Sequence, residues 1–110
     1  MVLWWALDVL AATRVAFVNP PAFVPETEIV TYYVRVPRHE ENRLLIVGAF
    51  DGSERVTETR REFHGVNSQA MWNIEWRLPA GELEIVAAVF SQTEQVGRDS
   101  RRVTVYSRLP

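Results

Sequence analysis

The amino-acid sequence predicts an all-β domain built from two packed layers of strands. Seven to eight short segments with strand character follow one another at regular spacing between residues 14 and 108. No helical hydrophobic period occurs after residue 12. The strongest single signal is the stretch of residues 72–90, which predicts a strand, a tight corner and a second strand.

Within this stretch, residues 72–78 alternate apolar and polar side chains with the two-residue period of a strand that buries one face. The apolar side chains are Trp72, Ile74, Trp76 and Leu78. Pro79 lacks an N–H and ends this strand, and Gly81 provides the backbone freedom for a sharp reversal. Residues 82–90 then carry apolar side chains on both faces after Glu84. The second strand is therefore apolar on both sides, unlike the first.

Length and composition restrict the class of protein. The 110 residues are enough for one domain with a hydrophobic core that needs no metal or disulfide. The chain contains no cysteine, which excludes a disulfide framework and a thiolate metal site. The net charge of −2 is small and the charges are interspersed, whereas a nucleic-acid interface needs a concentrated basic face. We therefore expect a single domain with no cofactor and no nucleic-acid partner.

Residues 1–12 form an apolar run that only Asp8 interrupts. Because a membrane-spanning helix needs about 20 apolar residues, this run is too short to cross a bilayer. Three interpretations stay open: a signal-like segment, the remnant of a membrane anchor, and a short helix that docks on the domain. Trp4 and Trp5 suit a membrane interface or a groove on a partner. The sequence thus predicts an apolar N-terminal segment, residues 1–13, before a domain that spans residues 14–108, and it favours export to the periplasm or cell surface.

The first half of the domain contains four segments with strand character. Residues 14–18 form a short strand that a proline pair breaks before residues 22–25 resume it. A proline-broken strand is typical of a sheet edge, where a missing hydrogen-bond donor costs least. Residues 27–36 are rich in β-branched and aromatic side chains and predict a long strand. Residues 43–50 are continuously apolar, which predicts a central strand that is buried on both faces.

The second half adds an edge strand and a final strand around the stretch 72–90. Residues 53–63 are polar at nearly every position, which predicts an edge strand protected by charge. Residues 92–97 predict a loop, and residues 101–106 predict the last strand, with Val103 and Val105 buried.

A resemblance rests on one passage and on the last predicted strand. The passage consists of Trp76, Arg77, Leu78, Pro79, Ala80, Gly81, Glu82, Leu83, Glu84 and Ile85, and the strand contains Arg102, Val103, Thr104 and Val105. Together they resemble immunoglobulin-like and fibronectin type III-like modules of bacterial surface and periplasmic proteins, in the region between the fifth and sixth strands. The resemblance covers residues 14–108 and implies an immunoglobulin-like antiparallel β-sandwich of seven to eight strands.

Two departures from the family matter. Leu83 stands where a corner tyrosine is usual, and the inter-sheet cysteine pair is missing, which argues against an antibody-type domain. The family implies adhesion, spacing or ligand display and no single activity, because function depends on the sites that a fold carries.

The strands that are apolar on both sides predict an interaction surface. In the implied topology, residues 43–50 and 82–90 are neighbours in one sheet, and only one face of each can fill the core. The outer face then carries Leu45, Val47 and Ala49, or the alternate set Leu44, Ile46 and Phe50, beside Val86, Ala88 and Phe90. Since a monomeric sandwich is normally polar on its outer faces, an apolar outer patch indicates a contact surface. The predicted contact residues are Trp4, Trp5, Leu45, Val47, Val86, Ala88 and Phe90.

We therefore expect a non-enzymatic structural or interaction module. Its partner is a second protein, a second copy of the chain, or its own N-terminal segment. The alternative is an accessory domain that binds a glycan or a peptide through its loops. Candidate loop residues are Arg38, His39, Asp51, His64 and Asn67.

The sequence offers no pattern for catalysis or metal binding. His39 and His64 lack a ligand spacing such as His-x-x-x-His, and no Asp-x-Asp calcium loop or serine-nucleophile elbow is present. Trp72 and Trp76 could stack on a sugar, but their alternation with polar residues indicates core positions. We expect no catalytic, cofactor-binding or metal-binding residue.

Overall fold

The computed structural model describes residues 14–63 and 69–107. These residues form strands and connecting loops, without any helix that is long and apolar enough to cross a membrane. The strands in chain order are β1 (Ala16–Phe17), β2 (Phe23–Pro25), β3 (Ile29–Arg35), β4 (Leu44–Asp51), β5 (Glu54–Glu62), β6 (Met71–Arg77), β7 (Gly81–Phe90) and β8 (Gln95–Tyr106).

The strands form two sheets with the core between them. One sheet has three strands in the order β1-β3-β6, and the other has five in the order β2-β8-β7-β4-β5. All neighbouring strands are antiparallel except β2 and β8, which are parallel. This arrangement confirms the predicted all-β class with two layers.

The stretch 72–90 contributes to both sheets, as its alternation requires. Ile74 and Trp76 on β6 are buried, and Leu83 and Ile85 on β7 are buried opposite them in the other layer. Trp72 is half-buried and packs against the same core, which confirms that the two tryptophans are core residues.

Two contacts join the layers on the side where β5 and β6 are the outermost strands. The Trp76 Nε1–H donates a hydrogen bond to Thr59 Oγ1 at 2.9 Å. The Phe63 and Trp72 rings meet edge to face, with 5.1 Å between their centroids. Aromatic pairs of this geometry add stabilisation beyond the area that they bury.

The proline-broken first strand is divided between the two sheets. Asn19 has a positive φ of 45°, and the prolines after it cannot donate to a ladder, so the chain leaves β3 and crosses to β8. The Asp99 carboxylate on β8 accepts a hydrogen bond from the Phe17 backbone N–H at 2.9 Å and holds the two layers together at this crossing. Both β1 and β2 lie at sheet edges, as predicted.

The last strand is longer than its sequence predicts. We expect a loop at residues 92–97 and a strand from residue 101, but β8 begins at Gln95. Its first residues pair with β7 through a register that matches Phe90 with Gln95 and Ala87 with Asp99. The strand forms here because β7 supplies hydrogen-bond partners, with a register shift between Val89 and Phe90, although these residues show no apolar alternation.

Candidate interaction surface

The register of β4 against β7 decides which residues of the two strands face the core. In an antiparallel sheet, directly opposed residues lie on the same face. Leu45 opposes Val89 and Val47 opposes Ala87, and all four have no exposed area. These residues therefore point between the two sheets.

The other parity of the two strands forms the outer face. Leu44 opposes Phe90, Ile46 opposes Ala88, and Gly48 opposes Val86. The predicted contact set is corrected at Leu45 and Val47, because a side chain without exposed area makes no contact outside the domain. The alternate β4 residues Leu44, Ile46 and Phe50 lie on the outer face, beside the three β7 residues that were predicted there. We call this surface the outer apolar patch: Leu44, Ile46, Phe50, Val86, Ala88 and Phe90. Trp4 and Trp5 lie outside the described residues.

Charged side chains border the outer apolar patch on both flanks. On the β5 side, Arg60 opposes Ile46 and Glu62 opposes Leu44. On the β8 side, Arg98 opposes Ala88. The patch is consequently a strip along two strands, and its residues are half-buried or, for Ala88, 8% exposed.

The β5 flank is ordered by ion pairs. Glu58 accepts hydrogen bonds from Arg60 Nε at 2.7 Å and from Arg55 Nη1 at 2.9 Å. The hydrogen bond from Arg60, together with the positive charge of both arginines, lowers the pKa of the Glu58 carboxyl. The flank therefore carries fixed charges of both signs next to an apolar strip.

Gly48 lies between Ile46 and Phe50 on the outer face of β4, and the sequence pattern does not mark it as part of this surface. A Cβ at this position would lie 3.1 Å from Cε2 of Phe50, so the aromatic ring covers the space that a side chain would occupy. A glycine inside a strand is a known sign of a close approach, and this is the signal that could have marked it.

A shallow depression of about 300 Å³ continues from one end of the patch. It is lined by Phe50, Gly52, Glu82, Leu83, Glu84 and Arg102. Apolar, anionic and cationic groups thus meet at the same end of the outer face.

The candidate loop residues are not brought together. Arg38 and His39 precede β4, whereas Asp51 ends it, and an eight-residue strand spans about 25 Å. His39 Nδ1 accepts a hydrogen bond from the Glu41 backbone N–H at 3.1 Å, which closes a tight loop. His64 and Asn67 lie outside the described residues.

Within residues 14–63 and 69–107, no three His, Cys, Asp or Glu side chains cluster in a way that could hold a metal ion. Comparisons of the chain with protein-family models, with curated proteins and with solved structures found no match.

Proposed function

We propose that this chain is a non-enzymatic interaction module of the immunoglobulin-like, fibronectin type III-like kind, and that it contacts a protein partner through the outer apolar patch. One observation carries the proposal. Two of the three inner strands of the larger sheet, β4 and the part of β7 after Glu84, are apolar on both faces, although the core needs only one face of each.

The order of the strands supports the choice of fold type. In immunoglobulin-like sandwiches, the first, second and fifth strands share one sheet, and the third, sixth and seventh share the other. If β1 and β2 are counted as one divided first strand, β3 and β6 complete the first set, and β4, β7 and β8 form the second. The fourth strand, β5, pairs with β4 and not with β6, which differs from the constant-type arrangement.

The chemistry of the outer face supports a protein partner. Stable protein interfaces combine an apolar centre with a polar rim. Here the apolar strip lies between Arg60 and Glu62 on one flank and Arg98 on the other. Charges at the rim select partners and steer their approach, while burial of the strip supplies affinity.

The proposal is tested by placing a charge inside the patch. Ile46→Glu is expected to abolish binding of the apolar dye 8-anilinonaphthalene-1-sulfonate to the folded domain, because it interrupts the strip at its centre. Tyr33→Glu is the matched control, since Tyr33 lies on an outer strand face of the other sheet and is 49% exposed. Circular dichroism melts verify that both variants fold.

A second measurement addresses the partner directly. A photo-crosslinking amino acid at position 46 is expected to yield a protein adduct in an extract of the source cells, and the same group at position 33 is expected to yield none. If the native domain binds no dye and position 46 gives no more adduct than position 33, the outer apolar patch is not a contact surface and the proposed function fails.

A further inference from the structure

A second surface, distinct from the outer apolar patch, is the open edge of β6. Four strands lie at sheet edges: β1 and β6 in the smaller sheet, and β2 and β5 in the larger. Exposed edges invite pairing with other chains, and proteins protect them with prolines, charges, bulges or short length. The four edges of this domain differ sharply in that protection.

Three of the edges are protected. β1 is two residues long, and β2 is three residues long and ends in Pro25. β5 is nine residues long, but six of the nine are charged. A register shift between Ala49 and Phe50 of β4 also bends the pairing of β5.

β6 has little of this protection. It contains seven residues with neither proline nor glycine, and it pairs with β3 without any register shift. Glu75 and Arg77 are its charged residues, and both alternate with buried side chains in the ordinary strand pattern. This edge is therefore straight, regular and long enough to accept another strand.

The hydrogen-bond pattern defines which backbone groups point to the open edge. Val36 N–H donates to Ala70 O at 2.7 Å, one step beyond the paired residues Arg35 and Met71. In an antiparallel ladder, bonded and non-bonded pairs alternate. Trp72, Ile74 and Trp76 therefore bond to β3, whereas Met71, Asn73, Glu75 and Arg77 direct their N–H and C=O groups outward.

The side chain of Gln69 agrees with this assignment. Its Nε2–H donates to Met71 O at 3.1 Å, which places a donor at the outward-directed carbonyl. The backbone groups of Asn73 and Glu75 have no such partner among the described residues.

We propose that two copies of this chain pair through β6, antiparallel, with the two-fold axis at Ile74. This register places Asn73 opposite Glu75 of the second copy and Met71 opposite Arg77 of the second copy. The outward N–H and C=O groups of all four residues then face those of the second copy, where the Arg77 N–H replaces Gln69 as the donor to Met71 O. The Asn73 amide of each copy lies opposite the Glu75 carboxylate of the other. A register centred on Glu75 would instead place two carboxylates opposite each other, which is unfavourable.

Such pairing joins the two three-stranded sheets into one continuous six-stranded sheet. The interface is isologous, because the same strand contributes both halves. A pair of strands buries less than the roughly 1,000 Å² that marks a stable interface, so we expect a dimer that dissociates on dilution.

The first test removes one outward N–H. Asn73→Pro breaks no hydrogen bond to β3, since the N–H of Asn73 points away from that strand, but it removes a donor from the proposed interface. We expect the dimer association constant, measured by sedimentation velocity over a concentration series, to fall at least tenfold. Asn73→Ser keeps the N–H and is expected to dimerise like the natural sequence. Circular dichroism melts check the fold of each variant.

The second test uses disulfide formation, needs no proline, and determines the register in which the two β6 strands pair. The natural chain has no cysteine, so single substitutions give unique thiols. In the proposed register, positions 73 and 75 of the two copies are directly opposite, about 5.5 Å apart between Cα atoms, a distance that a disulfide can bridge. A mixture of Asn73→Cys and Glu75→Cys proteins is expected to oxidise to the mixed dimer in preference to either homodimer.

These results separate the β6 edge from the outer apolar patch. A chain that is monomeric at every concentration and shows no preferred mixed disulfide would overturn the proposal. A dimer that survives Asn73→Pro but is lost in Ile46→Glu would also overturn it, because the copies would then meet through the patch.

Discussion

The two sheets differ in which surface they leave open to association. The five-stranded sheet has an apolar strip on its outer face, but its long edge strand β5 is covered with charges. The three-stranded sheet alternates regularly, so its outer face is mixed, but its long edge strand β6 carries little protection. The larger sheet therefore offers its outer face for association, and the smaller sheet offers its edge.

The difference shows why alternation alone is an incomplete guide to function. In β3 and β6, the alternation of apolar and polar residues accounts for the core, and each exposed apolar residue of the outer face (Ile29, Tyr33 and Met71) is opposed by a polar one. In β4 and β7, apolar residues exceed what the core uses. At the edge of β6, the groups available for association are backbone N–H and C=O groups, and a pattern of side chains gives no information about them.

Substitutions on the two faces of β4 should differ most in their effect on stability. Leu45→Ala should lower the free energy of unfolding by about 2 to 5 kcal/mol, because it opens a cavity in a fully buried position. Leu44→Ala, one residue away on the outer face, should lower it by less than about 1.5 kcal/mol, since this side chain remains partly exposed. Urea denaturation measures both, and equal losses would contradict the assigned faces.

The next effect concerns the connection between the two sheets. Asn42 is 1% exposed and lies in the loop from β3 to β4. Its Nδ2–H donates to Pro37 O at 3.1 Å, and its Oδ1 accepts from Arg14 Nη2 at 2.9 Å. Asn42→Ala leaves these groups without their partner and should cost about 1 to 3 kcal/mol in urea denaturation. Glu41→Ala, at the exposed neighbouring position, is the control and should change stability little.

Two polar aromatic side chains of the core differ in their hydrogen bonding. The Trp76 Nε1–H has a partner in Thr59, whereas the buried Tyr32 hydroxyl has none among the described residues. An unmatched buried hydroxyl opposes folding, so Tyr32→Phe should raise the free energy of unfolding by about 1 kcal/mol. Trp76→Phe should lower it. A loss of stability in Tyr32→Phe would indicate that the hydroxyl has a hydrogen-bond partner.

The Tyr32 hydroxyl should also make the stability of the domain fall as the pH rises into the alkaline range. Burial raises the pKa of Tyr32 from 10.0 to about 12, because the charged phenolate is poorly solvated in the core. The unfolded chain therefore ionises first, and this contribution to stability is complete below pH 10 and is lost as the pH rises toward 12. The decline between these values, at most about 1.4 kcal/mol per pH unit, should disappear in Tyr32→Phe.

The smallest expected effect tests the protection of the β5 edge. Glu58→Gln removes the carboxylate that binds Arg55 and Arg60, and exposed ion pairs of this kind contribute less than about 1 kcal/mol. Since the pKa of Glu58 is lowered on folding, its contribution is present above the ordinary pKa and is lost as the pH falls through the lowered one. The difference from the natural chain should shrink in acid and in 1 M salt, as measured by urea denaturation.

Much of the fold could be predicted because strand character is a local property. The period of two in residues 72–78, the proline corner and the charged run of β5 are visible in the chain and lie where the pattern places them. The neighbouring positions of β4 and β7 were also predictable, once an immunoglobulin-like order was assumed.

The parts that could not be predicted depend on partners across the sheet. Polar residues of β8 became strand because β7 lies beside them, and the broken first strand was divided because two different edges were available to it. The contact residues Leu45 and Val47 were predicted on the wrong face, since a strand apolar on both sides gives no indication of which parity is buried.

The class of the domain and the approximate positions of most of its strands follow from the amino-acid sequence, because apolar periodicity and turn residues act within a few neighbours. The outer face of β4 and β7 and the identity of the edge strands could be assigned only from the three-dimensional arrangement. Both depend on the register and order of strands far apart in the chain, and these follow from the packing of the whole core.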